Sequence, residues 1–256
     1  MKMREIKTIL TVVLFVVISS CIANRQSSDS ETEEEVYHFT TNENGMGPWI
    51  TVEFQRGESF YYPLMAVWLE DMSGNYIQSL YVPNSVATSI FRFGEVRDRE
   101  WAPGIRRYPQ TLPYWAHKRG ILASDGLYMP DPESPISDAY SGATPITGFV
   151  MSSRPDNPIT DQVRVMLEVN QNWDWNEYWT NDRFPDDEFY KRSCQPALVY
   201  EAIIDPKFPG GEVVMRPIGH SHHSGATGEL FTDLKTITTA LNIADSIVVK
   251  LGRSSR

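Results

Sequence analysis

The stretch Asp161-Gln-Val-Arg-Val-Met-Leu-Glu-Val-Asn170 alternates Val163, Val165, Leu167 and Val169 with Arg164, Met166, Glu168 and Asn170. Successive side chains of an extended backbone point to opposite faces, so this period of two predicts a strand with one buried face. Such a strand needs a second layer to cover it, which already narrows the architecture. Other segments read the same way. TVEFQ at 51–55 is one; PLMAVWLED, the turn MSGN and YIQSLYVP predict a hairpin with Gly74 and Asn75 at its tip. ALVYEAIID and EVVMRPIG read as a further antiparallel pair joined by a Pro/Gly turn, and SIVVKL as a last strand.

Helical signals are few. LPYWAHKRG at 112–120 suits one or two turns, and DLKTITTALN offers Asp233 as an N-cap with Leu234, Ile237 and Leu241 on one face. The segment from Trp173 to Arg192 has irregularly spaced aromatics and many acids, and reads as a long loop over one end of the sheets. Many short strands with Gly/Pro turns and little helix predict an all-β fold, an antiparallel β-sandwich with immunoglobulin-like layers, long loops and one or two short helices. Roughly 215 residues from Val36 to Gly252 suit one domain, since domains run from about 50 to 250 residues.

The chain begins with Lys2, Arg4 and Lys7 ahead of an apolar run from Ile9 to Ile18, then Ser19-Ser20-Cys21. That run falls short of the ~20 residues a spanning helix needs and reads as a secretory signal. Ile18-Ser19-Ser20-Cys21 resembles the lipobox of bacterial lipoproteins, which implies removal of residues 1–20 and acylation of Cys21. Lipid chains of that kind would tie the protein to a membrane at about 0.8 kcal/mol per buried CH₂. Residues 21–36, polar and acidic, then form a flexible tether, and 37–256 the folded domain. The expected location is the bacterial cell envelope, in the outer membrane, with the periplasmic or surface side left open.

Cleavage removes three basic residues and one acidic one, taking the formal net charge from -10 to -12. So acidic a chain is a poor match for the phosphates of nucleic acid. With Cys21 acylated, Cys194 is the only other cysteine and reads as a small buried hydrophobe.

Chemistry centres on Asp138-Ala-Tyr-Ser-Gly-Ala-Thr144. Asp138, Ser141, Gly142, Ala143 and Thr144 match Asp-x-x-Ser/Thr-Gly-Ala-Thr, which resembles the acceptor motif of extracytoplasmic flavoproteins. In those proteins a flavin transferase links the phosphate of FMN to the final Thr. The resemblance implies covalent FMN on Thr144, with Gly142 and Ala143 letting the transferase approach the backbone. Two features depart from it. SGAT recurs at Ser224–Thr227 without the Asp, and Pro145 follows Thr144 directly, restricting it to extended geometry. Trp173, Trp175, Tyr178 and Trp179 would shield a flavin ring only if their loop lies beside Thr144.

His220, His222 and His223 are three of five histidines. On a strand His220 and His222 would share a side, the spacing for two imidazoles on one metal, with Glu229 or Asp233 completing the set. The alternative is a polar loop hydrogen-bonded to its own backbone. Neither a paired-carboxylate spacing in the acidic loop nor a GxSxG elbow marks a hydrolase, and no complete catalytic motif is present.

Taken in order, AVWLED, LPYW, DAYSGATPITG, LEVNQNWDWNE, QPALVYEAIID, PIGHSHHSGATGEL and TITTALNIADSIVV resemble the bacterial family catalogued as domain of unknown function 2271, over residues 48 to 251. The resemblance implies an exported β-sandwich and brings no activity with it. Two functions stand open: a lipid-anchored electron carrier bearing FMN, with a flavin transferase and a redox partner, or a cofactor-free envelope module that binds protein, glycan or metal through its loops.

Overall fold

The computed structural model describes residues 36–252, so the signal segment, Cys21 and all of the tether but Val36 lie outside the described residues. The predicted alternation becomes β9 (Val163–Asn170), near the middle of a six-stranded sheet. Its neighbours are β3 (Leu64–Asp71) and β10 (Leu198–Ile204), both antiparallel to it. Outward from β10 lies β12 (Arg216–His220); outward from β3 lie β4 (Tyr76–Pro83) and the two-residue β7 (Ser141–Gly142). A five-stranded sheet has the order β1 (Tyr37–Thr41), β8 (Phe149–Ser153), β2 (Ile50–Arg56), β13 (Ala244–Leu251) and β11 (Glu212–Val214).

The two sheets enclose the main core. Ile50, Val52 and Phe54 of β2, Phe149 and Met151 of β8 and Ile247, Val249 and Leu251 of β13 meet Met65, Val67 and Leu69 of β3, the four alternating residues of β9 and Leu198, Tyr200, Ala202 and Ile204 of β10. Every second residue of each strand thus faces the opposite sheet, as the sandwich reading requires. Two edge pairings depart from a wholly antiparallel design: β1–β8 and β4–β7 run parallel.

The hairpin with Gly74 at its tip forms as predicted. Asp71 Oδ1 accepts hydrogen bonds from Ser73 N and Asn75 N at 2.8 and 2.9 Å, and Gly74 takes φ +83°, which glycine adopts without a Cβ penalty. EVVMRPIG is split between the sheets. β11 pairs with β13 and β12 with β10, and the chain crosses over at buried Met215, whose N–H donates to Ile247 O at 2.8 Å.

Strand β9 is buried on both faces, not one. On the side away from the sandwich, Met166, Ala66, Trp68, Val82 and Val199 pack against a third layer. That layer holds Val86 and Ala87 of α1 (Asn84–Thr88), the segment Leu112–Ala116 and Ile136. The predicted helical turn at 112–120 appears as α2 (Pro113–Arg119), stopped by Gly120 at φ +68°. Glu168, fully buried, accepts hydrogen bonds from Tyr114 N (3.1 Å) and Trp115 N (2.8 Å) and so fixes the start of α2 on the sheet. Burial pushes its carboxyl up to about 8 against the opposing pull of those two donors.

The expected helix from Asp233 does not form. Asp233 Oδ1 accepts from Lys235 N at 3.0 Å, closing a local turn, and only a 3-10 turn follows at Thr239–Asn242. Thr236, Ile237, Thr238 and Thr239 are β-branched in succession, which weakens an α-helix there. A hairpin with no counterpart in the expectations is formed by β5 (Ile90–Arg97) and β6 (Glu100–Ile105), with Asp98 and Arg99 both at positive φ in its turn. Among the described residues no helix is long and apolar enough to cross a membrane.

Candidate functional site

The sequence motif from Asp138 to Thr144 folds as a turn followed by an edge strand. Asp138–Tyr140 make one 3-10 turn, with Ser137 Oγ accepting from Ala139 N and Ser141 N–H donating to Asp138 O. Asn42 N–H, just past β1, donates to Ala139 O at 2.8 Å, and Tyr140 OH donates to Asp156 Oδ2 at 2.5 Å. Ser141 then turns extended (φ -121°, ψ 155°) and pairs with Val82, while Gly142 pairs with Pro83. The segment is bound to the sheet on both sides of the turn.

Buried Tyr81 braces the end of this edge strand: its OH donates to Ala143 O at 2.8 Å, and its ring edge lies 3.4 Å from where a Cβ on Gly142 would stand. Gly142 is not among the residues at positive φ, and that 3.4 Å contact is ordinary van der Waals distance. The fold itself therefore has no need of glycine at 142. Asp138 and Ala143 are exposed, Thr144 is half-buried and Pro145 is buried. Thr144 Oγ1 makes no hydrogen bond among the described residues. A cleft of about 560 Å³ opens beside it, and the described residues lining it are Tyr37, Ala143, Thr144, Pro145, Ile146 and Thr147. No lining side chain among these carries a charge.

Tyr37, Tyr81 and Ile146 were not legible as site residues. Tyr37 arrives through the parallel pairing of β1 with β8, where Tyr37 sits opposite Phe149 and its N–H donates to Gly148 O at 2.9 Å. Its ring stacks on Phe39 (5.2 Å, 24°), which in turn contacts Tyr81 (4.9 Å). The four aromatics named as candidate shields, Trp173, Trp175, Tyr178 and Trp179, are elsewhere. Their loop follows β9 and packs beside β12, at the sheet edge opposite β7. Five inter-strand steps of ~4.8 Å put those edges roughly 24 Å apart, so the loop does not lie beside Thr144.

The aromatic loop and the histidines, separate in sequence, meet at that far edge. Trp179, buried within the main core, contacts both His220 (5.9 Å) and His223 (6.1 Å). The ring of His223 lies between Phe184 (4.1 Å, 4°) and His222 (4.2 Å, 28°), while that of His220 stacks on Phe231 (5.3 Å, 13°). One nitrogen of each ring faces a local polar neighbour. His220 Nδ1 pairs with Ser221 O at 2.8 Å, and His222 Nδ1 accepts from Ser224 N at 3.2 Å. His223 Nε2 lies 3.8 Å from Asp187 Oδ2.

Burial lowers the basicity of all three imidazoles, and His223 falls to about 4, with His222 adding to the effect and Asp187 opposing it. His220 and His222, expected to share one metal, stack on different rings, Phe231 and His223, and engage local partners through their Nδ1 atoms. Among the described residues no group of three His, Cys, Asp or Glu side chains is placed to hold a metal ion. Cys194 is buried in the same region, and desolvation raises its thiol to about 11, which makes it unreactive.

No family model matches the chain, and no curated protein or solved structure matches it. The resemblance to the domain of unknown function 2271 rests on its ordered motifs alone.

Proposed function

We propose that this chain is an extracytoplasmic, membrane-anchored carrier of FMN held covalently on Thr144, passing electrons between redox partners. The observation that carries the reading is the setting of Thr144. It is a hydroxyl without a hydrogen-bond partner among the described residues, two residues past an edge strand and next to a cleft whose described lining carries no charge. Gly142 supports it, because an extended glycine that the fold does not need leaves room for a modifying enzyme to approach the backbone.

Attachment would proceed by attack of Thr144 Oγ1 on the flavin-side phosphorus of FAD. A Thr oxygen–phosphorus bond forms, the bond to AMP breaks, AMP leaves, and the hydroxyl proton passes to a base of the transferase. Once bound, the flavin supplies reversible one- or two-electron chemistry. The chain's part is to hold the segment still through Tyr81, Asn42 and Pro145. The motif at Cys21 supports the anchor, and acylation there would be read directly by mass.

The test is co-expression of the full chain with a flavin transferase, followed by intact mass and fluorescence of the denatured band. One FMN per chain is expected in the wild type and none in Thr144→Ala. A wild type carrying lipid but no flavin ends the proposal.

One observation favours the cofactor-free binding module instead. The β5–β6 hairpin exposes Phe93, Val96 and Trp101 at 60 to 62%. Capture of an envelope protein or glycan that Trp101→Ser abolishes, with no flavin found, would select that reading.

A further inference from the structure

The cleft beside Thr144 has the size of a small-molecule site, which typically spans about 300–1,000 Å³. Two of its lining side chains are large apolar groups left open to solvent: Ile146 is 67% and Tyr37 40% exposed. A cleft whose described lining side chains carry no charge, with an exposed aromatic ring at its wall, suits a flat, mostly apolar heteroaromatic system. Such rings stack at centroid separations of about 4.5–7 Å and gain about 0.5–1.5 kcal/mol beyond the area they bury.

Tyr37 is also held in place. Its backbone is pinned to β8, and its ring leans on Phe39, which rests on Tyr81 and on Phe149 (5.6 Å). Tyr81 is the residue that fixes Ala143, so the ring and the threonine share one buried support. A stacking surface tied to the attachment point in this way costs little ordering on binding.

We propose that Tyr37, with Ile146 beside it, is the seat for the isoalloxazine ring of a flavin attached at Thr144, in place of the tryptophan loop at the opposite sheet edge. The assignment rests on the covalent-flavin reading and adds to it the residues that set the ring's environment. Tyr37 acts here as a positioning residue. Stacked on a phenol, an isoalloxazine loses much of its emission; released into water, it recovers it.

The experiment uses the full chain loaded by co-expression with a flavin transferase, as wild type, Tyr37→Leu and Tyr37→Phe. Flavin content is measured by intact mass, and emission of the folded protein is normalised to it. Tyr37→Leu and Tyr37→Phe are both expected to raise emission per attached flavin by roughly threefold or more, because the phenol that donates an electron to the excited ring is gone, while Tyr37→Phe keeps a ring to stack on. Iodide quenching should rise in step for Tyr37→Leu alone. Loaded proteins whose emission and iodide quenching are equal across all three overturn the seat while leaving attachment at Thr144 intact. A complete lack of flavin mass in the wild type overturns both.

Discussion

The tetrapeptide Ser-Gly-Ala-Thr occurs twice, and the fold uses it in two unrelated ways. At 141–144 it is a two-residue edge strand followed by an exposed alanine and a half-buried threonine; at 224–227 it is a turn behind three histidines, with Gly225 N–H donating to His222 O at 3.1 Å. Gly225 takes φ +76°, and a Cβ there would stand 2.2 Å from Pro109 O. Gly142 meets neither constraint. The second copy is therefore explained by conformation and the first is not. Local sequence does not decide between the two; Asp138 upstream, Pro145 downstream and the partner strand do.

The largest contrast to test is chemical. Under co-expression with a flavin transferase, Thr144→Ala should lose all added flavin mass and Thr227→Ala none; loading that survives in Thr144→Ala would erase the distinction. Next comes stability. Gly225→Ala must shift backbone at Pro109 and adopt a left-handed conformation, so it should cost about 3 kcal/mol or more in denaturant unfolding.

The histidines give a smaller, pH-dependent difference. His223 sits at about 4 in the folded chain against an ordinary 6.5, because burial and its neighbours His222, His220 and Arg183 disfavour the cation while Asp187 favours it. Its folded value lies below the unfolded one, so its contribution is intact above about pH 6.5 and is lost as the pH falls toward 4. Between pH 7.5 and 4.5 that amounts to about 2 kcal/mol, which His223→Phe should remove from the pH profile. Protection from hydrogen exchange, relative to the intrinsic rate at each pH, should fall at 220–227 in acid and stay level at 138–147. The smallest effect is that of Gly142→Ala, expected to change stability by less than about 1 kcal/mol. A larger loss there would show that the first copy is conformational after all.

The sandwich was legible because β2 and β9 repeat a period of two, while β3 and β10 are apolar runs of strand length bounded by turn residues. What escaped was whatever that pattern does not encode. Glu168 and Asn170 read as solvent-facing because they are polar, yet both are buried with partners from elsewhere in the chain: helix N–H groups of the third layer for Glu168, and Ser193 Oγ, at 2.7 Å and beyond the aromatic loop, for Asn170. The β5–β6 hairpin buries neither face of its own, so it lacks apolar alternation, and its turn uses Asp98 and Arg99 where glycine or asparagine would have announced it. At the candidate site the motif residues were readable one by one. Tyr37 was not, since only a parallel pairing between strands far apart in the chain brings it to Thr144.

That pairing has a mechanical consequence. β1 is the outermost strand of its sheet and is joined to β8 over five consecutive register positions, Tyr37 to Thr41. Tension drawn along the strand from the chain ahead of Val36 would load these rungs together in shear, with Tyr37 the first residue to feel it. The cleft wall is thus also the point at which a pull on the leading end of the chain enters the folded body.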